Sequence, residues 1–298
     1  MTWSLNKKYS IINITFMEIK NRELSPVEFR KMQLMELDML VEFDRVCNDN
    51  NIKYVIFGGT MLGAIRHKGY IPWDDDADIA MLREDYEKFK KVAKNLNQDI
   101  CCFQDYTTDS KYRWGYGKLR RTGTKYIRIG QEGLKCKTGI FVDVFPLDDV
   151  PNNLIGQMIQ DFYCFCCRKI LWSEVGKSTY KGIMGAWFSL LSKIPTKKVF
   201  KWLDRYIRKS KNANNNKVRI LCFTSIGKLY YKHKLCERYG MPKEWYLERS
   251  KYLFENKELW GSKDYDAVLK YFYNDYMTPP PENKRACHSP FSTIDFGN

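Results

Sequence analysis

The sequence has no uninterrupted apolar run of the roughly 18–20 residues that a membrane-spanning helix needs. It has only three histidines, so its ten cysteines do not form the Cys and His pairs of a zinc site. No small-residue cleavage site follows the short apolar segment near the amino terminus, so we expect no signal peptide. These absences favour a cytoplasmic protein whose cysteines are free thiols.

Acidic residues are scarce in the second half of the chain. Residues 151–298 contain 26 Lys and Arg against 13 Asp and Glu, whereas residues 1–150 contain 24 against 22. The excess is strongest at 151–240, with 18 basic and four acidic residues. Nucleic acid, an anionic membrane face or an anionic polymer substrate would each suit such a surface, and so would plain solvation.

Apolar residues make up 44% of the chain, enough for a globular core. Ser25-Pro26-Val27-Glu28 predicts a capping box at the start of an amphipathic helix. Helices, strands and a glycine turn then follow one another as far as residue 150, which predicts an α/β or α+β domain. Of the two we expect α+β, with a small mixed sheet flanked by helices. We divide the chain into an extension at 1–24, a core at 25–150 and a mostly helical basic region at 151–298. Within that last region we predict a short strand at 217–223 and helices at 243–256 and 264–274.

Four carboxylates stand in five positions of the first half: Asp74, Asp75, Asp76 and Asp78. Their mutual repulsion calls for a cation, and oxygen ligands suit Mg²⁺ or Mn²⁺. Because side chains alternate along a strand, Asp76 and Asp78 face the same side, whereas Asp74 and Asp75 are assigned to the preceding loop. Asp143 is a lone acid in an apolar strand, so its burial implies a metal or a basic partner. We predict Asp76, Asp78 and Asp143 as metal ligands and catalytic residues.

Two further groups are predicted to bind phosphate. Gly58-Gly59-Thr60 stands between a strand and a helix, where glycines allow close approach and the first helical amides attract anions. Thr60 as a plain helix N-cap is the alternative. Lys118 and Arg120 alternate onto one strand face and would clamp phosphate oxygens, although solvated surface positions are the alternative.

Three residues around the acidic loop are further candidates for substrate binding. Arg66 and His67 would bind phosphate or orient the acids, and Trp73 would stack on a base or a choline group. Structural packing is the alternative for all three. His288, in a polar tail, is assigned no role.

Several of these motifs together resemble the LicD family, over roughly residues 25–298. The resemblance rests on the following stretches: Gly58-Gly59-Thr-x-Leu-Gly63, Arg66-His67-Lys68-Gly69-x-Ile71-Pro72-Trp73-Asp74-Asp75-Asp76-x-Asp78, Lys118-Leu119-Arg120, Phe141-Val142-Asp143-Val144-Phe145-Pro146 and Tyr276-Met277-x-Pro279-Pro280. It implies a nucleotidyltransferase-like core in which the glycine turn follows the first strand, Asp76 and Asp78 lie on the next strand, and Asp143 lies on a later one.

The resemblance also implies an activity. LicD-type proteins transfer phosphocholine from CDP-choline to sugar hydroxyls of surface polysaccharide, teichoic acid or lipopolysaccharide, and fukutin-related relatives transfer ribitol phosphate from CDP-ribitol. We therefore expect CMP release, with Asp143 as the base and with Lys118 and Arg120 stabilising the developing charge. The basic region would hold a glycan or lipid-linked glycan, or contact the inner face of an anionic membrane. The transferred alcohol, the acceptor, the number of metals and the oligomeric state stay open.

Three other functions remain as alternatives. A nucleotidyltransferase acting on RNA or a small molecule would use the same acids but would release pyrophosphate. A sugar transferase with its own Asp-x-Asp motif leaves the glycine turn unexplained. A nucleic-acid-binding protein would explain the basic half but not the acidic run. We expect no nucleic-acid partner.

Overall fold

The computed structural model describes residues 24–211, 215–222, 239–285 and 290–297. The helices are α1 Pro26–Asp49, α2 Gly58–Arg66, α3 Arg83–Val92, α4 Leu154–Leu171, α5 Ser173–Thr179, α6 Gly182–Leu191, α7 Thr196–Ser210, α8 Glu244–Leu247 and α9 Tyr265–Tyr273. The strands are β1 Val55–Ile56, β2 Ala77–Leu82, β3 Cys101–Gln104, β4 Gly117–Arg121, β5 Lys125–Arg128, β6 Phe141–Asp149, β7 Lys217–Arg219, β8 Met241–Pro242, β9 Arg249–Phe254, β10 Lys257–Ser262 and β11 Phe291–Asp295. Short 3₁₀ turns lie at Ala93–Asn95 and Glu282–Lys284.

A mixed seven-stranded sheet forms the centre of the fold. Five strands run in the order β1-β2-β6-β4-β3, and β7 pairs with both β6 and β8. Strands β2 and β6 are parallel, and the other pairs of this sheet are antiparallel. Strand β6 is central because its first half pairs with β2 and β4 while its end pairs with β7. Its nearly continuous burial matches its apolar sequence, and the arrangement confirms the predicted α+β class.

Helix α1 covers one face of this sheet. Its capping box forms as predicted, because the Glu28 amide donates to Ser25 Oγ at 3.3 Å and the Ser25 amide donates to Glu28 Oε2 at 3.0 Å. Phe43 on its inner stripe is fully buried and packs against Tyr54 and Phe89, at ring centroid distances of 5.1 and 4.5 Å. The predicted amphipathic helix is therefore confirmed, and its inner face is part of the core.

Residues on both sides of Pro151 share one core. Helices α4 to α7 follow Pro151, but the chain then returns: Phe254, Leu259 and Leu269 are buried in the same cluster as the inner face of α1. Strand β11 also pairs with β5 of the first half. The carboxy-terminal strands therefore help to close the core.

Secondary-structure predictions for the carboxy-terminal part are confirmed in two places and wrong in one. The strand predicted at 217–223 is the shorter β7, and the helix predicted at 264–274 is α9. The helix predicted at 243–256 is instead the single turn α8 followed by strand β9. Burial alternates along most of β9, and the strand pairs with β10. Pairing between strands, in which side chains alternate every two residues, therefore decides the conformation here, although the apolar residues also have helical spacing. His288 lies outside the described residues.

Two expectations from composition concern the cysteines and the membrane. The eight cysteines in the described part of the chain are all free thiols, and Cys47, Cys101, Cys164 and Cys167 are buried. Among the helices that the structure describes, none has the combination of length and apolar character needed to cross a bilayer.

Candidate active site

Three neighbouring strands bring Asp78, Asp143 and Lys118 into one row. Asp78 of β2 is the register partner of Asp143 on β6, and Asp143 is in turn the register partner of Lys118 on β4. Directly paired residues project from the same face of a sheet, so the three side chains meet there. The Lys118 ammonium donates to Asp143 Oδ1. The sequence predicted each of the three residues as part of the site, and the register shows how they are assembled.

Burial disfavours the charged forms of Asp78 and Lys118. Burial, and then the negative charges of Asp76 and Asp143, raise the pKa of Asp78 well above its usual range. Burial also lowers the pKa of Lys118 to about 7, although the attraction of Asp143 opposes that shift. Asp143 thus has the basic partner that its burial required, and that partner is Lys118.

The glycine turn fixes the backbone of Asp78 on both sides. The Phe57 amide donates to the Asp78 carbonyl at 2.9 Å, and the Asp78 amide donates to Thr60 Oγ1 at 2.8 Å. Helix α2 begins at Gly58 and has Phe57 as its N-cap, so Thr60 lies inside its first turn. The alternative interpretation of Thr60 as an N-cap is therefore wrong, and its hydroxyl instead holds strand β2 in place.

The first turn of α2 lies directly against carboxylates. Gly58 has a positive φ of 53°, and a Cβ added there would be 3.0 Å from Asp78 Oδ2. A Cβ at Gly59 would overlap Asp74 Oδ2. The positive end of the α2 dipole therefore stabilises these acids. Phosphate binding by Gly58, Gly59 and Thr60 stays a prediction.

The acidic run forms a tighter cluster than strand alternation indicated. Ligand atoms of Asp74, Asp75 and Asp76 lie within 4.8 Å of one another, and the first two side chains are buried. Asp76 Oδ2 also lies 3.4 Å from the Arg128 guanidinium. We call the group of Asp74, Asp75, Asp76, Asp78 and Asp143 the acidic pocket. Asp74 and Asp75 belong to it although they lie in the loop. The assignment of Asp76, Asp78 and Asp143 as the metal ligands stays a prediction.

Three residues near the acids were missed by sequence reasoning: Arg128, Glu36 and Tyr273. Glu36 on α1 is 1% exposed, and burial followed by the charges of Asp76 and Asp75 raises its pKa well above the usual range. Among the described residues, none hydrogen-bonds its Oε2 atom. Burial, and then Asp74 and Asp78, likewise raise the pKa of Tyr273 on α9.

A signal for Glu36 was present in the sequence. The residue stands four positions after Met32 and seven before Phe43, on the buried stripe of α1. An acid on such a stripe needs a partner in the interior. Arg128 and Tyr273 gave no comparable signal, because their positions depend on pairing and packing between distant segments.

The Arg120 guanidinium is hydrogen-bonded to neighbouring parts of the sheet. It is buried, its Nε donates to Gln104 Oε1 at 2.7 Å, and its Nη1 donates to the Gly139 carbonyl at 2.9 Å. These bonds tie β3 and the entry to β6 onto β4. Its predicted contact with phosphate stays a prediction, but the solvated-surface alternative does not fit a buried side chain.

Arg66, His67 and Trp73 lie together at the far end of α2. Arg66 donates to the Tyr276 carbonyl at 2.7 Å, the His67 ring meets Trp73 edge-on at 6.1 Å, and the Arg285 guanidinium lies over Trp73 at 4.8 Å. These contacts fasten the carboxy-terminal segment beside the acidic loop, as the packing alternative expects. Substrate binding by the three residues stays a prediction.

Comparison with known proteins agrees with the motifs. A family model described as LicD/FKTN/FKRP, nucleotidyltransferase domain, matches residues 51–165, which contain the glycine turn and all the acids predicted to be catalytic. The lipopolysaccharide cholinephosphotransferase LicD of Haemophilus influenzae is 26% identical over 276 residues, which are 89% of this chain and 97% of that protein. An uncharacterised protein of Rickettsia prowazekii is 31% identical over 149 residues, about half of each chain.

The mixed α/β fold, the row of acids with its lysine and these similarities define a transferase enzyme. The match identifies residues 51–165 of the chain as a LicD-type domain.

The Thr60 hydroxyl gives a test of how Asp78 is held. Thr60→Val keeps the shape of the side chain but leaves the Asp78 amide without its acceptor, so we expect unfolding to become easier by about 1–2 kcal/mol. Thr60→Ser keeps the acceptor and should lose less than half of that. Urea denaturation of the three proteins measures the difference, and equal stability of the Val and Ser variants would contradict this role.

Proposed function

We propose that the protein transfers phosphocholine, or a similar phospho-alcohol, from a CDP-linked donor to a hydroxyl of lipopolysaccharide or a related surface glycan, with release of CMP. The observation that carries the proposal is the row of Asp78, Asp143 and Lys118 beside the amino terminus of α2. The name of the Haemophilus influenzae relative, which aligns over most of both chains, supports the choice of group and acceptor.

The acidic pocket fits a hard divalent cation. Its donors are carboxylate oxygens, as Mg²⁺ and Mn²⁺ prefer, and three of them lie within 4.8 Å of one another. Burial and the charges of Asp76 and Asp75 raise the pKa of Glu36 behind them, as expected where several carboxyl groups lie together without a compensating cation. Asp76, Asp78 and Asp143 would hold the ion, with Asp74 and Asp75 next to it. When bound, it would neutralise charge on the donor diphosphate.

The chemistry assigned to the side chains is a displacement at phosphorus. The acceptor hydroxyl oxygen forms a bond to the phosphorus that carries the choline group, and Asp143 takes the hydroxyl proton. The bond from that phosphorus to the bridging oxygen breaks, and CMP leaves with the electron pair. Lys118 orients the Asp143 carboxylate and offsets negative charge that develops in the transition state.

A cavity beside this row is suited to the nucleotide part of the donor. Its volume is about 460 Å³, within the range of small-molecule sites. It shares Trp114, Tyr116 and Arg128 with a small recess next to Lys118, and it extends to Phe165 and Trp172 at the helical region. Its aromatic rings offer surfaces on which a pyrimidine base stacks.

The charges around the cavity favour an anion over choline. Arg113, Arg128, Arg168 and Lys169 line it, and no carboxylate stands among its described lining residues. Burial lowers the pKa of both Arg168 and Lys169, so each gains from an anionic ligand. A quaternary ammonium group would be repelled there. The nucleotide therefore occupies the cavity, and the choline end of the donor points away from it.

The basic region is assigned to the acceptor or to the membrane that carries it. Its excess of cations would attract the anionic groups of the acceptor or of the membrane that carries it.

Asp78 gives the most direct test of the reaction. Asp78→Asn keeps the size of the side chain but removes its charge, so CMP release from CDP-choline in Mg²⁺ should fall by roughly 10²-fold or more. The assay should include CDP-ribitol, CDP-glycerol and CDP-ethanolamine, with a sugar acceptor. Chelation of Mg²⁺ should stop turnover by the wild-type protein as well.

The matched control is Asp99→Asn, an exposed acid before β3, which should turn over like the wild type. Near-normal turnover by a folded Asp78→Asn variant would refute the role of Asp78. Failure of the wild-type protein with every CDP-alcohol would refute the proposed reaction, and pyrophosphate release from a nucleoside triphosphate would replace it with the nucleotidyltransferase alternative.

The cavity is tested through donor affinity. Arg168→Gln and Lys169→Gln each remove one cation from its wall, so we expect the KM for the CDP-linked donor to rise about tenfold while kcat changes little. CMP should inhibit both variants less than the wild type. Arg205→Gln, an exposed cation on α7, is the control. Unchanged KM and CMP inhibition in both cavity variants would place the nucleotide elsewhere.

A further inference from the structure

Helix α6 is an apolar helix on the surface of the protein. Its sequence, Gly-Ile-Met-Gly-Ala-Trp-Phe-Ser-Leu-Leu, contains no charged residue. Ile183 is 89% exposed, Leu190 is 62% exposed and Trp187 is 41% exposed. A helix this apolar is normally buried, so its exposure calls for an explanation.

A single side chain anchors α6 to the rest of the fold. Phe188 is the one buried residue among the described positions of this helix. Its ring packs against Trp172 at 5.3 Å and Tyr180 at 5.6 Å, and it lies where a Cβ on Gly176 would be. The remaining apolar side chains are left outside the core.

The exposed side chains form one face. Ile183, Trp187 and Leu190 are spaced by four and three residues, so they line the same side of the helix, away from Phe188. Isolated apolar residues on a surface are ordinary, but a continuous apolar patch marks a place of interaction.

Basic residues flank α6 in the sequence. Residues 177–211 contain ten Lys and Arg and one acid, Asp204, which accepts a hydrogen bond from the Tyr106 hydroxyl at 2.7 Å. Lys181 directly before α6 and Lys193 just after it are both exposed. Tryptophan is enriched at membrane–water interfaces, and lysines beside an apolar face attract anionic lipid, so α6 and its flanking residues suit the interface of an anionic bilayer.

The length of α6 fixes how it would lie. Ten residues span about 15 Å, half of the roughly 30 Å hydrocarbon core of a bilayer. We propose that α6 lies in the plane of an anionic phospholipid bilayer and inserts Ile183, Trp187 and Leu190 into it, while the surrounding cations contact lipid phosphates. This inference rests on the proposed function, because a lipid-linked acceptor would lie at the surface of the bilayer.

Charge favours lipid over a second copy of the chain. Two copies that met through α6 would bring Lys181 and Lys193 of each copy close together, and the nearest acids in the sequence are already engaged, because Glu174 pairs with Lys177 and Asp204 accepts from Tyr106. An anionic bilayer would instead neutralise these cations with its lipid phosphates.

Vesicle flotation tests the inference. The wild-type protein should float with vesicles of phosphatidylcholine containing about 30% phosphatidylglycerol and should bind pure phosphatidylcholine at least about tenfold less. The double variant Ile183→Glu/Leu190→Glu should lose about tenfold or more of the binding to anionic vesicles. Val27→Glu, at a 79% exposed apolar position on α1, is the matched control and should bind like the wild type.

Three outcomes would overturn the inference: undiminished flotation of the double variant, equal binding of the wild type to both kinds of vesicle, or a wild-type dimer that the double variant dissociates. Loss of flotation through Ile155→Glu/Ile159→Glu on α4 alone would assign the contact to that helix instead.

Transfer to a water-soluble sugar acceptor should be unchanged in the α6 variant. Failure of the α6 inference is thus distinct from failure of the proposed reaction, which the wild-type protein and the soluble acceptor test separately.

Discussion

The structure depends on keeping several carboxylates together on one face of a buried sheet. Parallel pairing of β2 and β6 sets Asp78 directly beside Asp143, and burial prevents water from screening their repulsion. Three features offset it: the Lys118 ammonium, the Arg128 guanidinium near Asp76, and the amino terminus of α2. These groups compensate part of the charge, and the remainder is what makes the pocket suited to a cation and a phosphate-bearing donor.

Elements from the whole chain hold this arrangement. Helix α1 supplies Glu36, the first turn of α2 fixes the backbone of Asp78, and α9 places Tyr273 beside the acids. The aromatic, cation-lined cavity lies between the helical region after Pro151 and the segment 113–116 that precedes β4. In the proposed function the acidic side would hold the metal and the basic side the nucleotide, while the apolar helix α6 lies on the outside.

Local patterns predicted more of this protein than long-range ones. The capping box was enough to predict the start of α1, because it depends on neighbouring residues. Strand alternation was applied to Asp76 and Asp78, but β2 begins at Ala77, so Asp76 lies just before the strand. The contact of Asp143 with Lys118 required the strand order, which periodicity does not contain. For the same reason Arg128 was missed. Strand β9 was predicted as a helix because the pairing with β10, which the local spacing does not show, decides its conformation.

The central claim is that the acids around Asp78 need a cation, and thermal unfolding with and without Mg²⁺ tests it most directly. We expect Mg²⁺ to stabilise the wild-type protein, by about 2.7 kcal/mol at a concentration one hundred times its Kd. In metal-free buffer Asp78→Asn should be at least as stable as the wild type, because the cost of burying a carboxyl group beside other acids is gone, and it should gain little from Mg²⁺. A wild-type melting temperature that does not change with Mg²⁺, or an Asp78→Asn variant that gains as much as the wild type, would contradict the claim.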